Sequence, residues 1–129
     1  MRDKHVFRFT AGQIAAAAKA EAQYHRDRIA FYQGEYAGAV SRLKDTARVE
    51  FREFEVTGGK RTDLVVNYGD PAAYNRMQEA YGKMTEHRRA AEMLESDAML
   101  YATQPPVHMY DLDVSDVAYY RLGGQARPE

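Results

Sequence analysis

Apolar residues recur every three or four positions at Ile14, Ala18, Ala22, Ile29, Tyr32, Tyr36, Val40, Leu43 and Ala47. That spacing draws one stripe along an α-helix, predicted from Thr10 to about Arg48 and ~50 Å long at about 1.5 Å per residue. Thr10-Ala-Gly-Gln13 reads as a capping box, in which the Thr10 hydroxyl and the Gln13 side chain each satisfy a free N–H of the first turn. A second stripe runs through Ala73, Met77, Ala80, Met84, Ala91, Leu94, Ala98 and Tyr101, with Tyr74 and Tyr81 flanking it. It predicts a helix from Pro71 to about Ala102, capped by Asp70 and stopped by Pro105-Pro106. Gly34 and Gly38, four apart in the first helix, leave two readings open: a close helix crossing, or a kink near Gly34.

Elsewhere the period is two. His5-Val-Phe-Arg-Phe9 predicts a short edge strand, and Val107 to Leu112 another. Val49 to Val56 and Asp63 to Tyr68 flank Thr57-Gly-Gly-Lys-Arg-Thr62, which is a β-hairpin signature with a turn over residues 57–62. Val49 and Phe51 share one parity and Phe54 and Val56 the other, so a single buried face requires a bulge near Arg52 and Glu53. Asp113 or Ser115 caps a short helical turn, after which the chain to Leu122 extends again, and residues 123–129 form a flexible polar tail.

The order β-α-β-β-α-β over residues 1–122 is that of a single α+β domain. Two long antiparallel helices form a helical hairpin, with the β-hairpin between them and the short strands at the termini. A compact ferredoxin-like sheet is the runner-up. It requires a break at Gly34, because an unbroken first helix overshoots a strand of ~30 Å by about 20 Å. Apolar positions spread wider than one partner helix covers, notably Phe31 with Tyr32 and Met77 with Met84. They point to a homodimer built as a four-helix arrangement.

Composition narrows the function classes. Hydrophobic residues make up 45% and charged residues 29% of 129, a globular balance. The net charge of −1 supplies no global field for nucleic acid or an acidic membrane. Charge is uneven, with nine Lys/Arg against five Asp/Glu in residues 1–48 and four against six in residues 70–103. Cysteine is absent, which excludes disulfides, thiolate chemistry and cysteine metal sites. No apolar run is long enough to span a membrane, and the charged start reads as no signal peptide, so a cytoplasmic location is expected. Arginine outnumbers lysine 13 to 5, a bias associated with GC-rich bacterial or phage genomes.

Candidate chemistry is sparse. Glu21 and His25 lie one helical turn apart and could both ligate a metal, but His87 with Glu92 does not share a face and the chain has no Glu-x-x-His motif of a di-metal bundle, so no metal site is expected. Asp111-Leu-Asp-Val-Ser-Asp116 is acidic, yet Asp116 and Leu122 stand where a calcium loop needs its glycine and its glutamate. Gly58-Gly59-Lys60 leads into a strand, not the helix N-terminus a phosphate loop needs, and no serine sits in a nucleophile motif. No enzyme, metal or cofactor is therefore expected. Ten tyrosines are the stronger signal, since tyrosine gives large contact area at low rotamer cost. Tyr32, Tyr36, Tyr74, Tyr81, Tyr119 and Tyr120 are the candidate protein-binding residues. Lys60 and Arg61 at the hairpin tip, with Arg42, Lys44 and Arg48 on the first helix, are the candidate nucleic-acid contacts.

The leading expectation is a non-enzymatic protein–protein interaction module, a homodimer of the kind a small phage or mobile-element inhibitor of a host complex would be. The alternative is a nucleic-acid-binding accessory protein using the basic tip and the basic face of the first helix.

Overall fold

The computed structural model describes residues 6–67 and 69–124. The elements are β1 (Phe7–Thr10), α1 (Ala11–Thr46), β2 (Arg48–Val56), β3 (Gly59–Asn67), α2 (Pro71–Ala102), β4 (Met109–Leu112) and α3 (Val114–Tyr120). The β-α-β-β-α-β order is as expected, with α3 added at its end. His5, Tyr68 and residues 125–129 of the expected tail lie outside the described residues.

Local chemistry starts and stops the helices. The capping box is closed from both sides: the Thr10 N–H donates to Gln13 Oε1 at 2.8 Å and the Gln13 N–H to Thr10 Oγ1 at 3.1 Å. At α2, Asp70 accepts from the Ala73 N–H at 3.2 Å, and Pro71 is the first helical residue. Helix α1 runs unbroken through Gly34 and Gly38. A Cβ built on either glycine meets nothing within 4 Å among the described residues, so no close crossing is made at them there, and the helix is not broken at Gly34.

The chain divides into two compact units, one formed by residues up to Ile29 with those from Thr85 onward, the other by Ala30 to Met84. In the first, α1 and α2 run antiparallel: Gly12 donates its N–H to Pro106 O at 3.0 Å, and Arg26 Nε reaches Glu95 at 3.0 Å. Its core joins Ile14, Ala18 and Ala22 of α1 to Leu94 of α2, Leu112 of β4, Val117 and Tyr120 of α3, and Leu122. Strands β1 and β4 pair antiparallel from Phe7↔Leu112 to Thr10↔Met109 and close one end of this core. The expected re-extension after Asp113 does not occur. Asp113 caps α3 by accepting from the Asp116 N–H at 2.8 Å, and Arg121 ends it in the left-handed conformation, φ 54°. Its neighbour's N–H donates to Val117 O at 3.0 Å, folding Leu122 into the core instead of into a strand.

In the second unit the last turns of α1 and the first turns of α2 are again antiparallel, with Arg42 Nε on Asp70 Oδ2 at 3.0 Å. Buried positions here are Ala39, Leu43, Ala73 and Ala80, mostly small side chains. Strands β2 and β3 form their own antiparallel pair from Arg48↔Asn67 to Val56↔Gly59. The four strands thus make two separate two-stranded sheets, and the single ferredoxin-like sheet is not formed.

Two expectations for the β-hairpin are corrected. Its register is regular throughout, without the bulge near Arg52 and Glu53. The bulge was required only if one face of the hairpin were buried, and neither is. The turn is also tighter than residues 57–62. Only Thr57 and Gly58 lie outside the strands, with Gly58 at φ 91°, and Lys60 and Arg61 belong to β3.

Candidate interaction surface

The most exposed apolar surface of the second unit is on the hairpin. Regular alternation puts Val49, Phe51, Glu53 and Glu55 of β2 on one face with their partners Val66, Leu64, Thr62 and Lys60 of β3. The half of that face nearest the helices is wholly apolar. Val49 is 62% exposed, Phe51 76%, Leu64 61% and Val66 49%. A contiguous patch of this kind differs from scattered exposed leucines, because covering the Phe51 ring alone would be worth about 1.5–3 kcal/mol.

The opposite face is mixed: it carries Phe54 and Val56, 43% and 46% exposed, and charged residues that pair with one another. Arg52 Nη2 donates to Glu50 Oε2 at 3.0 Å, Asn67 Nδ2 to Glu50 Oε1 at 3.2 Å, and Arg61 Nη2 to Asp63 Oδ2 at 2.6 Å. The Arg52 hydrogen bond, then that from Asn67, holds the Glu50 carboxyl below its ordinary range.

Those pairs bear on the candidate nucleic-acid residues. Arg61 is committed to Asp63, Lys60 lies 3.9 Å from Glu53, and Arg42 is bound to Asp70, whose carboxyl that guanidinium holds below its ordinary range. Arg48 donates to the Asp45 and Ala47 carbonyls at 3.2 and 2.9 Å, closing the end of α1. Lys44 is exposed in the last turn of α1. The basic tip is thus a set of compensated strand residues.

The tyrosines fall into two places. Tyr32, Tyr36, Tyr74 and Tyr81 belong to the second unit. The Tyr36 and Tyr81 rings lie 6.4 Å apart there, Tyr74 Oη is held by Gln78 at 2.6 Å, and Tyr81 is 63% exposed. Tyr119 and Tyr120 belong to the first, where Tyr119 is 43% exposed and Tyr120 only 8%. Tyr120 packs in the core and donates to Asp97 Oδ2 at 2.9 Å. Burial and that carboxylate push its hydroxyl pKa far above the ordinary value.

The first unit holds three further features. A shallow groove of about 490 Å³ between α1 and α2 is floored by Ala15, Ala22 and Ala98 and rimmed by Lys19, Arg26 and Met99. The His25 and His87 rings meet Nδ1 to Nδ1 at 2.8 Å in a hydrogen bond, with the Tyr24 ring edge-on to both. Glu21, 5% exposed, accepts from Arg121 Nε at 3.2 Å. Among the described residues no three metal-ligating side chains gather, and no helix is long and apolar enough to cross a membrane.

Sequence reasoning singled out tyrosines and cations and passed over Val49, Phe51, Leu64 and Val66. The sequence did place apolar residues on both parities of β2, which puts them on both faces of the hairpin. Comparison with protein-family models, curated proteins and solved structures finds no match to this chain.

Proposed function

We propose that this chain is a non-enzymatic protein–protein interaction module that works as a homodimer, and that the β2–β3 hairpin is its working surface. One observation carries the reading. The hairpin is an isolated two-stranded sheet with Phe51, Leu64, Val49 and Val66 open to solvent. Such a hairpin is marginal in water by itself and gains stability when a further polypeptide covers it or extends it. The thin, alanine-rich core of the second unit adds to the case, since Ala39, Ala73 and Ala80 bury little area of their own. The exposed Tyr81 and half-buried Tyr32, Tyr36 and Tyr74 then serve as contacts beside the hairpin. The nucleic-acid reading draws less support, because Arg42, Lys60 and Arg61 already face carboxylates.

The experiment is light scattering on a sizing column, with the ratio of absorbance at 260 and 280 nm recorded across the same peak. The expected result is a protein-only peak at twice 14.7 kDa. A monomer at micromolar concentration, or a peak carrying nucleic acid, overturns the reading.

A further inference from the structure

Both strands of the hairpin have an outer edge with no protein partner in the described chain. The loop has two residues, so the closing pair Val56/Gly59 is of the hydrogen-bonded kind, and every second pair from it turns its amides inward. The intervening residues Val49, Phe51, Glu53 and Glu55 turn their N–H and C=O groups outward along β2. Thr62, Leu64 and Val66 do so along β3. Sheet edges are ordinarily blunted by proline, a bulge or lysine. The outward set of β2 has no proline, bulge or lysine, and its charges, Glu53 and Glu55, lie towards the turn, whereas that of β3 begins with Lys60 beside Gly59.

An edge that pairs with its own copy about a two-fold axis is antiparallel, and its charges select the register. Centring on Glu50, Arg52 or Glu53 sets a like charge against itself, and centring on Phe54 sets Glu53 against Glu55. Centring on Val49 leaves only Arg48 to Glu50 in the ladder before α1 intervenes. Centring on Phe51 sets Glu50 opposite the second copy's Arg52, and Arg52 opposite its Glu50. Those are close, non-hydrogen-bonded positions, and the ladder runs from Arg48 to Phe54. Phe51, the most exposed residue of the patch at 76%, then lies against its own copy.

We infer that β2 pairs edge to edge with β2 of a second copy of this chain, antiparallel and centred on Phe51, joining two hairpins into one four-stranded sheet. This rests on the interaction-module reading and names its first partner. In an antiparallel pair, opposed side chains share a face, so the two Phe51 rings meet at its centre with Val49 opposite Glu53 on either side, Leu64 and Val66 lie on the flanking strands, and the Glu50–Arg52 pairs lie on the other face. The β3 edge offers two competing registers: centring on Thr62 sets Arg61 opposite Asp63 but ends on Gly59, and centring on Leu64 brings no opposite charges together and sets Asp63 against Val65.

The test is residue-resolved amide hydrogen exchange by NMR on the full chain, with the mass of the same sample measured by light scattering. Expected is a dimer in which the Val49, Phe51 and Glu53 amides exchange at least about tenfold more slowly than those of Thr62, Leu64 and Val66. Phe51→Pro removes the N–H at the two-fold axis without touching the hairpin's own ladder, and is expected to weaken the dimer on the order of 100-fold. Leu64→Pro, its counterpart on the other edge, leaves the dimer intact. A dimer with β3 protected instead, or with both edges exchanging alike, overturns the β2 register and leaves the interaction reading standing. A monomer at every concentration up to that of the NMR sample overturns both. Should Phe51→Pro fail to fold, exchange in the unmodified chain still decides.

Discussion

Four Gly→Ala substitutions probe the described chain at positions where the geometry dictates different signs. Gly34 and Gly38 sit inside α1 with nothing within 4 Å of an added Cβ, so alanine gains helix propensity and meets no obstacle. Each is expected to stabilise by about 0.5–1 kcal/mol. Gly58, at φ 91°, also faces open space, so Gly58→Ala bears backbone strain alone, about 1 kcal/mol. Gly69, at φ 71°, adds an overlap between the new Cβ and the Thr46 carbonyl oxygen, with the carbonyl carbon at 3.1 Å. That carbonyl belongs to the last residue of α1 and has no free rotation to retreat through. Gly69→Ala is therefore expected to cost about 2–3 kcal/mol, strain and displacement together. Thermal unfolding followed by circular dichroism gives the ranking, at about 4 °C per kcal/mol for a chain of this size. The order expected is Gly34→Ala and Gly38→Ala above the unmodified chain, then Gly58→Ala, then Gly69→Ala. A loss of stability at Gly34 or Gly38 would refute the reasoning and show that another polypeptide packs on that face of α1.

Other substitutions test the first unit and the caps. Tyr120→Phe deletes the hydroxyl bound to Asp97 and is expected to cost about 1–2 kcal/mol in denaturant titration. Because folding raises the Tyr120 pKa, its contribution is full below about pH 10, the unfolded value, and fades as pH rises towards the folded one. The variant should accordingly lose less stability on alkaline titration than the unmodified chain. Arg121→Ala leaves the buried Glu21 without its guanidinium and should cost about 3 kcal/mol; the left-handed strain at this position is the same for alanine as for arginine and cancels. Asp70, held low by Arg42 and then by the Ala73 N–H, contributes stability above the ordinary carboxylate range that is lost as pH falls through its lower folded value. Asp70→Asn should therefore flatten the acid limb of the stability curve while keeping the cap.

What was legible in the sequence is what neighbours in the chain decide. Thr10 with Gln13 and Asp70 with Pro71 act within three or four residues, so the starts of α1 and α2 followed from spacing alone, whereas for α3 spacing left Asp113 and Ser115 and the structure selects Asp113. The turn was overdrawn because Gly58 and Gly59 both suggest loop, whereas only Gly58 is spent on it and Gly59 already pairs with Val56. The bulge was a wrong inference from a sound observation: the parity change between Phe51 and Phe54 is real, but it reflects a hairpin exposed on both faces. Long-range pairings were beyond reach. Glu21 with Arg121, Tyr120 with Asp97 and His25 with His87 are brought together by packing of separate elements, and no local spacing encodes them. Tyr120, counted among the candidate surface tyrosines, shows the same limit, since whether a tyrosine faces core or solvent depends on its neighbours in space.

The most direct measurement is sedimentation equilibrium of the full chain beside the double variant Phe51→Lys/Leu64→Lys, which charges the apolar face of the hairpin. The account predicts twice 14.7 kDa for the unmodified chain and 14.7 kDa for the variant, with equal helical circular dichroism. A variant that stays dimeric, or an unmodified chain that is monomeric throughout, would contradict it.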